Sequence, residues 1–201
     1  MHFRKLVFIS FIFFSSISEA NYEDAINHYN KEQFTQSIIE FKRVALKKSS
    51  ENPKKKDAMY NLGVIYDNGL GVSVNKSEAV NWYKLAADNN HKIAQFNLAW
   101  MYFNGDHLEK DFFQAFKYYE LSAQQGYNKA QFNLASLYYS GDGTLKDYVS
   151  AYKWFKISSV NGISESKKFL ALIKPSMHPE EITEADKFVK NWLKAHNAKS
   201  K

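Results

Sequence analysis

Along most of the chain, apolar residues recur every three or four positions between short polar connections, the spacing expected of helices with one or more buried faces. A longer regularity overlies it. AMYNLGVIYDNG from Ala58, AQFNLAWMYFNG from Ala94 and AQFNLASLYYSG from Ala130 lie 36 residues apart without an insertion. EAVNWYKLAA from Glu78, QAFKYYELSA from Gln114 and SAYKWFKISS from Ser150 repeat at the same period. A weaker fourth copy opens at Ser166, where Leu170 and Ala171 match Leu134 and Ala135. Such a period predicts an all-α fold, an α/α superhelical solenoid of helix-turn-helix units, because no single unit can bury its faces alone.

Each unit predicts two antiparallel helices. Ala58, Leu62, Ile65 and Tyr66 gather on one side of the first helix, while Tyr60 and Gly63 take the opposite flank. Two apolar flanks suit a helix held between its own partner and the preceding unit. Leu62, Leu98 and Leu134, with Tyr66, Tyr102 and Tyr138, are the expected core, and the row Gly63, Ala99, Ala135 permits close approach. Gly69, Gly105 and Gly141 are placed to end the first helix in the left-handed conformation. Asn75, Asp111 and Asp147 are expected N-caps of the second, with Glu78 and Gln114 as capping-box partners. Ala79, Ala115 and Ala151 mark a close crossing, ringed by Trp82 and Tyr83, Tyr118 and Tyr119, Trp154 and Phe155. Asn90, Gly126 and Gly162 close the units.

These signals divide the chain into an N-terminal segment 1–20, a capping helix pair in 21–57, repeats in 58–93, 94–129 and 130–165, and a partial repeat with a capping helix in 166–201. Tyr22 to Lys48 predicts the first pair, turning at Lys31, Glu32 and Gln33. Pro175 is expected to stop the last repeat helix and Pro179, followed by Glu180 and Glu181, to open the final one. Its Ile182, Ala185, Phe188 or Val189, and Trp192 would cover the end of the core.

Arg4 and Lys5 precede the apolar run LVFISFIFF, and Ser18 and Ala20 supply small residues behind it. That is the layout of an export signal cleaved after Ala20. The run falls short of the roughly 20 residues that span a bilayer, although an uncleaved anchor is the alternative. Export predicts a periplasmic protein, with full secretion as the second possibility.

Composition narrows the chemistry. A net charge of +6, from 27 basic and 21 acidic residues, lacks the concentrated basic face of a nucleic-acid binder. One stretch departs from the average: Lys42, Arg43, Lys47, Lys48, Lys54, Lys55 and Lys56 face the single acid Glu51. It is either a weak contact for an anionic envelope surface or a solvated helix end and loop. With no cysteine, the chain has no disulfide framework, thiolate metal site or thiol nucleophile. His2, His28, His91, His107, His178 and His196 show no metal-ligand spacing, and no glycine-rich phosphate loop occurs, so neither metal nor cofactor is expected. Ser73 with Lys76, and Ser164 with Lys167, match a serine–lysine spacing but lack its companion motifs. Asn75-Lys76-Ser77 fits a glycosylation acceptor and coincides with an N-cap. No nucleophile, base and orienting group converge, so an enzyme is not expected.

The units LGVIYDNGLGVSVNKSEAVNWYKLAA, LAWMYFNGDHLEKDFFQAFKYYELSA and LASLYYSGDGTLKDYVSAYKWFKISS resemble Sel1-like repeats, relatives of the tetratricopeptide repeat with a longer inter-helix loop, from about Ala58 to Ala171. Tyr22 to Lys48 resembles a tetratricopeptide-type opening unit, and MHPEEITEADKFVKNW the closing helix of bacterial members. His107 and Thr144 in the loops, and Ser158 and Ser159 in place of an alanine pair, depart from the pattern and predict small local adjustments. The resemblance implies an adaptor, with exported bacterial members acting as envelope scaffolds, regulators or host-contact factors. Some cysteine-rich exported relatives have been linked to penicillin binding, which makes a cell-wall or β-lactam-active hydrolase the alternative.

In a stack of such pairs the first helices line the concave side. The arc free of both buried flanks holds Asn61, Val64 and Asn68, then Asn97, Trp100 and Asn104, then Asn133, Ser136 and Ser140, with Phe103 and Tyr139 at the rim. Amides can both donate to and accept from an extended chain, and Trp100 could anchor it. The predicted partner is therefore another protein or an extended peptide, bound by a monomer. The alternative is that the first Asn of each triplet bonds a neighbouring helix.

Overall fold

A computed structural model describes residues 21–47 and 52–197. The expected export signal in 1–20 lies outside the described residues, as do Lys48 and Glu51 of the basic stretch. Ten α-helices and one short 3-10 turn form among the described residues, with no strand.

The helices are α1 (Tyr22–Asn30), α2 (Phe34–Leu46), α3 (Lys55–Asn68), α4 (Lys76–Asp88), α5 (Lys92–Asn104), α6 (Phe112–Gln124), α7 (Asn128–Ser140), α8 (Tyr148–Val160), α9 (Ser166–Ile173) and α10 (Pro179–Asn197). Each packs on the next from α1 to α9, and α10 turns back onto α8. This is a solenoid of helix pairs, capped at both ends.

The boundaries follow from local chemistry. Asn75, Asp111 and Asp147 each accept a hydrogen bond at 3.0 Å from the backbone N–H three residues on, satisfying donors that a helix start leaves free. The backbone N–H of each cap donates at 2.9 Å to the carbonyl of Tyr66, Tyr102 or Tyr138 on the preceding helix, which fixes the loop. Glu78 does not close a capping box; its carboxylate accepts from the Trp82 indole at 2.9 Å. Gly69, Gly105 and Gly141 end α3, α5 and α7 with φ of 69°, 73° and 85°.

The loop replacement at His107 leaves the backbone unchanged in kind. Gly71, His107 and Gly143 stand one period apart and all have positive φ, at 66°, 58° and 72°. His107 bears the left-handed conformation beside Asp106, with its Nε2 2.9 Å from the carboxylate. Gly143 is more tightly placed, since a Cβ there would meet the Phe112 carbonyl oxygen at 2.1 Å. Gly143→Ala is expected to cost about 1–2 kcal/mol, measured by urea unfolding, with no comparable loss for His107→Gly.

Leu62, Leu98 and Leu134 are fully buried, as are Ala99 and Ala135. A Cβ on Gly63 would lie 2.5 Å from the Tyr83 ring, so glycine lets that ring approach. The expected core tyrosines differ: Tyr66, Tyr102 and Tyr138 are only half-buried. Tyr66 lies under Lys42, Tyr102 stacks on Tyr118 with ring centres 6.0 Å apart, and Tyr138 meets Phe116 edge-on. They lie at the margin of the core, packed on these neighbours on one side only.

Two buried glutamines tie successive helices together. The Gln95 amide donates to the Ala87 carbonyl at 3.1 Å and its oxygen accepts from Gln125 at 2.6 Å. Gln131 repeats this one period later, donating to Ala123 at 3.3 Å and accepting from Asn161 at 2.9 Å. In the first unit Met59 stands at this position, and Asn89 accordingly turns back to its own helix at the Leu85 carbonyl. Gln131→Ala is expected to destabilise the fold by about 2 kcal/mol, because a buried carbonyl and the Asn161 amide lose their partner. Thermal unfolding of Gln131→Ala and Gln131→Met checks whether the bond or the volume dominates.

At the C-terminal end, α9 stops at Ile173 and Pro175 lies in the 3-10 turn that follows. Ala185 and Val189 of α10 are buried and Phe188 is exposed, so the choice left open falls to Val189. Trp192 meets Trp154 edge-on at 6.0 Å, and His196 stacks on Trp192 while its Nε2 reaches the Gln124 carbonyl at 3.0 Å. The serine pair of the third unit is accommodated by polarity: buried Ser158 shares a hydrogen bond with Ser166.

Candidate functional site

The first Asn of each predicted triplet is engaged across a helix interface. Asn61 donates to the Tyr22 hydroxyl at 3.0 Å. Asn97 lies beside the phenols of Tyr60 and Tyr83, and Asn133 beside that of Tyr119, where each amide holds the phenol's pKa down against the effect of burial. Burial pushes the Tyr119 phenol up to about 12 while the Asn133 amide, directed at its oxygen, acts the other way, and the phenol is neutral at physiological pH. One period beyond Asn133 the pair is replaced wholesale. Phe155 and Phe169 stand where Tyr and Asn would, stacked at 4.7 Å with planes 8° apart.

The remaining groups of the arc face outward. Asn68 and Asn104 are exposed and turn their amides back to the carbonyls of Val64 and Trp100, both at 2.9 Å. Ser136 is half-buried and donates to Phe132, while exposed Ser140 bonds Leu137 and Asp142. Val64 is half-buried and packs against the first half of the core. The amide row is thus two layers deep: an inner layer bonded between helices and an outer layer reachable from solvent.

Trp100 is the large apolar group of this arc, 46% exposed at the middle of α5. It stands between two hollows. The first, of about 200 Å³, is a cup walled by Trp100, Phe103, Asn104, Asn133 and Ser136, with Tyr119 and Leu137 at its base. The second, of about 460 Å³, is lined by Phe96, Asn97, Trp100 and Met101 of α5 with Asp67, Lys76, Asp106 and Lys129. Tyr139 does not line either hollow; it packs on Tyr148 and Phe169 and belongs to the junction with α9. Lys129 escaped the sequence reading although it lies one helical turn before Asn133 on the same face. Tyr119 and Leu137 could not be assigned from one helix, since the cup takes side chains from α5, α6 and α7.

The serine–lysine pairs are not assembled. The Lys76 ammonium is paired with Asp67 at 2.7 Å, and the Ser164 hydroxyl donates to Glu165. Among the described residues no three His, Cys, Asp or Glu side chains group as metal ligands. No helix among them is long and apolar enough to cross a membrane. The basic stretch is largely engaged: Lys42 and Lys54 lie over the rings of Tyr66 and Tyr22, Arg43 pairs with Glu40, and Lys56 donates to the Asn90 carbonyl.

A stack of 36-residue helix pairs with long inter-helix loops, glycine-ended first helices and acid- or amide-capped second helices defines a class of repeat solenoid. The Sel1 repeat matches residues 56–91, 92–127 and 128–159, and the chain belongs to the Sel1 repeat family. A Sel1 repeat protein from Oxalobacter formigenes is similar in structure, with a TM-score of 0.66 and 29% identity over 76% of this chain and 60% of that one. The protein c5321, a protective antigen of uropathogenic Escherichia coli, shares the fold with a TM-score of 0.55 and 22% identity, over 87% of this chain and 46% of its own. This chain thus spans about half to three-fifths of the length of those two proteins. No curated protein matches it.

Proposed function

We propose that the chain is a non-catalytic scaffold of the bacterial envelope that binds another protein through an extended segment laid along the α3, α5 and α7 face. The observation that carries this reading is Trp100, a ring left nearly half in water between two hollows while the rings around it are packed. An exposed indole beside a concavity is the kind of residue that dominates binding energy at interfaces. The outer amide of Asn104 shares the wall of the cup with it, Asn68 stands one repeat away on α3, and both can pair with a guest backbone. Export rests on the residues of 1–20 and places the protein in the periplasm, where it acts as a monomer. The hydrolase alternative has less support, since the Lys76 ammonium is directed to Asp67 at 2.7 Å and not to Ser73. The test is the recovery of envelope partners by wild-type protein and by Trp100→Ala. Equal yields of the same partners would remove the groove from consideration.

A further inference from the structure

Resting on that reading, we infer that the groove selects by charge as well as by shape. Its guest is an extended peptide segment with a large apolar side chain set between a carboxylate on one side and a cation on the other. The cup beside Trp100 has no charged group in its wall, and about 200 Å³ is below the roughly 300–1,000 Å³ of small-molecule pockets, so it suits a single side chain. An aromatic or branched apolar residue fills it, with Trp100 and Phe103 as its walls.

The longer hollow is polarised. Four charged residues line it. Lys76 and Asp67 cancel one another at 2.7 Å, with the Tyr83 hydroxyl also on Asp67. Lys129, at the start of α7, is exposed and has no ion pair among the described residues. Asp106, beyond the end of α5, has its carboxylate 2.9 Å from the His107 imidazole and no Lys or Arg paired with it among the described residues. The successive first helices of a repeat stack run the same way, so a 13-residue helix of about 20 Å separates the two charges, one at each end of the hollow. A guest lying along the hollow with a Glu or Asp side chain at Lys129 and a Lys or Arg side chain at Asp106 meets complementary charges at both ends. A guest with like charges at its ends meets one repulsion. A side-chain carboxylate fits better than a chain terminus, because Lys129 is a single point charge and no second cation lines that part of the hollow among the described residues.

The probes are synthetic peptides blocked at both termini, with one Phe in a Gly/Ser background. Glu stands two to four residues away on one side and Lys on the other, in both chain orders. Control sets carry two Glu, two Lys, or Ala in place of Phe. Fluorescence anisotropy at low salt is expected to show the mixed-charge peptides binding about fivefold or more tightly than either like-charged set. Lys129→Glu should erase that advantage and favour the double-Lys set, and 0.5 M salt should reduce it. Equal binding of all charge sets, or a preference unchanged by Lys129→Glu, overturns the inference. Those results together with Trp100-dependent binding leave the scaffold reading standing, whereas binding that is indifferent to Trp100→Ala and to Phe overturns both. A peptide with a free terminus that binds only through it assigns Lys129 to a chain end and likewise overturns the side-chain assignment.

Discussion

Phe155→Ala is expected to lower the unfolding free energy by about 3–5 kcal/mol, the largest stability effect of any substitution considered for this fold. Phe155 is fully buried on α8, stacked on Phe169 at 4.7 Å and edge-on to Phe132 at 5.5 Å. Its removal opens a hollow where α7, α8 and α9 meet, and neighbouring elements supply most of the stability of a repeat array. The loss should therefore concentrate at the C-terminal end. Hydrogen exchange is expected to accelerate in α8, α9 and α10 and to change little in α1 to α4. Uniform acceleration along the chain would mean that the stack unfolds as one unit. Phe155→Tyr is milder but informative, since its hydroxyl finds Phe169 where Tyr119 has Asn133.

Trp100→Ala carries the largest expected effect on binding, a loss of about 1–3 kcal/mol in partner affinity. Trp100 is a wall of both hollows, and truncation removes the contact surface from each at once. Stability should change little, because 46% of the side chain is already exposed. Circular dichroism and thermal unfolding therefore separate this variant from a folding defect. A variant that binds normally, or that loses binding only because it unfolds, contradicts the role assigned to the ring.

Much of the stack is legible in the 36-residue period because helix caps depend on one residue and its near neighbours. Asn75, Asp111 and Asp147 cap as their type and spacing imply, and so do Gly69, Gly105 and Gly141. Depth within the stack is less legible. Tyr66, Tyr102 and Tyr138 share the helical face of buried leucines yet reach only its margin, since helical spacing gives a direction and not a distance along the pair. Gln95 and Gln131 count as polar in any pattern, although their partners a few residues before and 30 residues after let them be buried. The groove was half legible. Trp100 is marked by its position on the free arc, but the inner Asn residues are explained only by tyrosines on other helices. One of these, Tyr22, stands 39 residues away from Asn61 and out of register with the repeat.

The scaffold reading is tested most directly by site-specific photocrosslinking in the native cell. A photoreactive residue replaces Ser136 in the wall of the cup, or Leu85, exposed on α4, as the comparison site. The account predicts a discrete protein adduct from position 136, lost when Trp100→Ala is added, and no such adduct from position 85. Adducts of equal yield from both positions, or an adduct at 136 that survives Trp100→Ala, would contradict it.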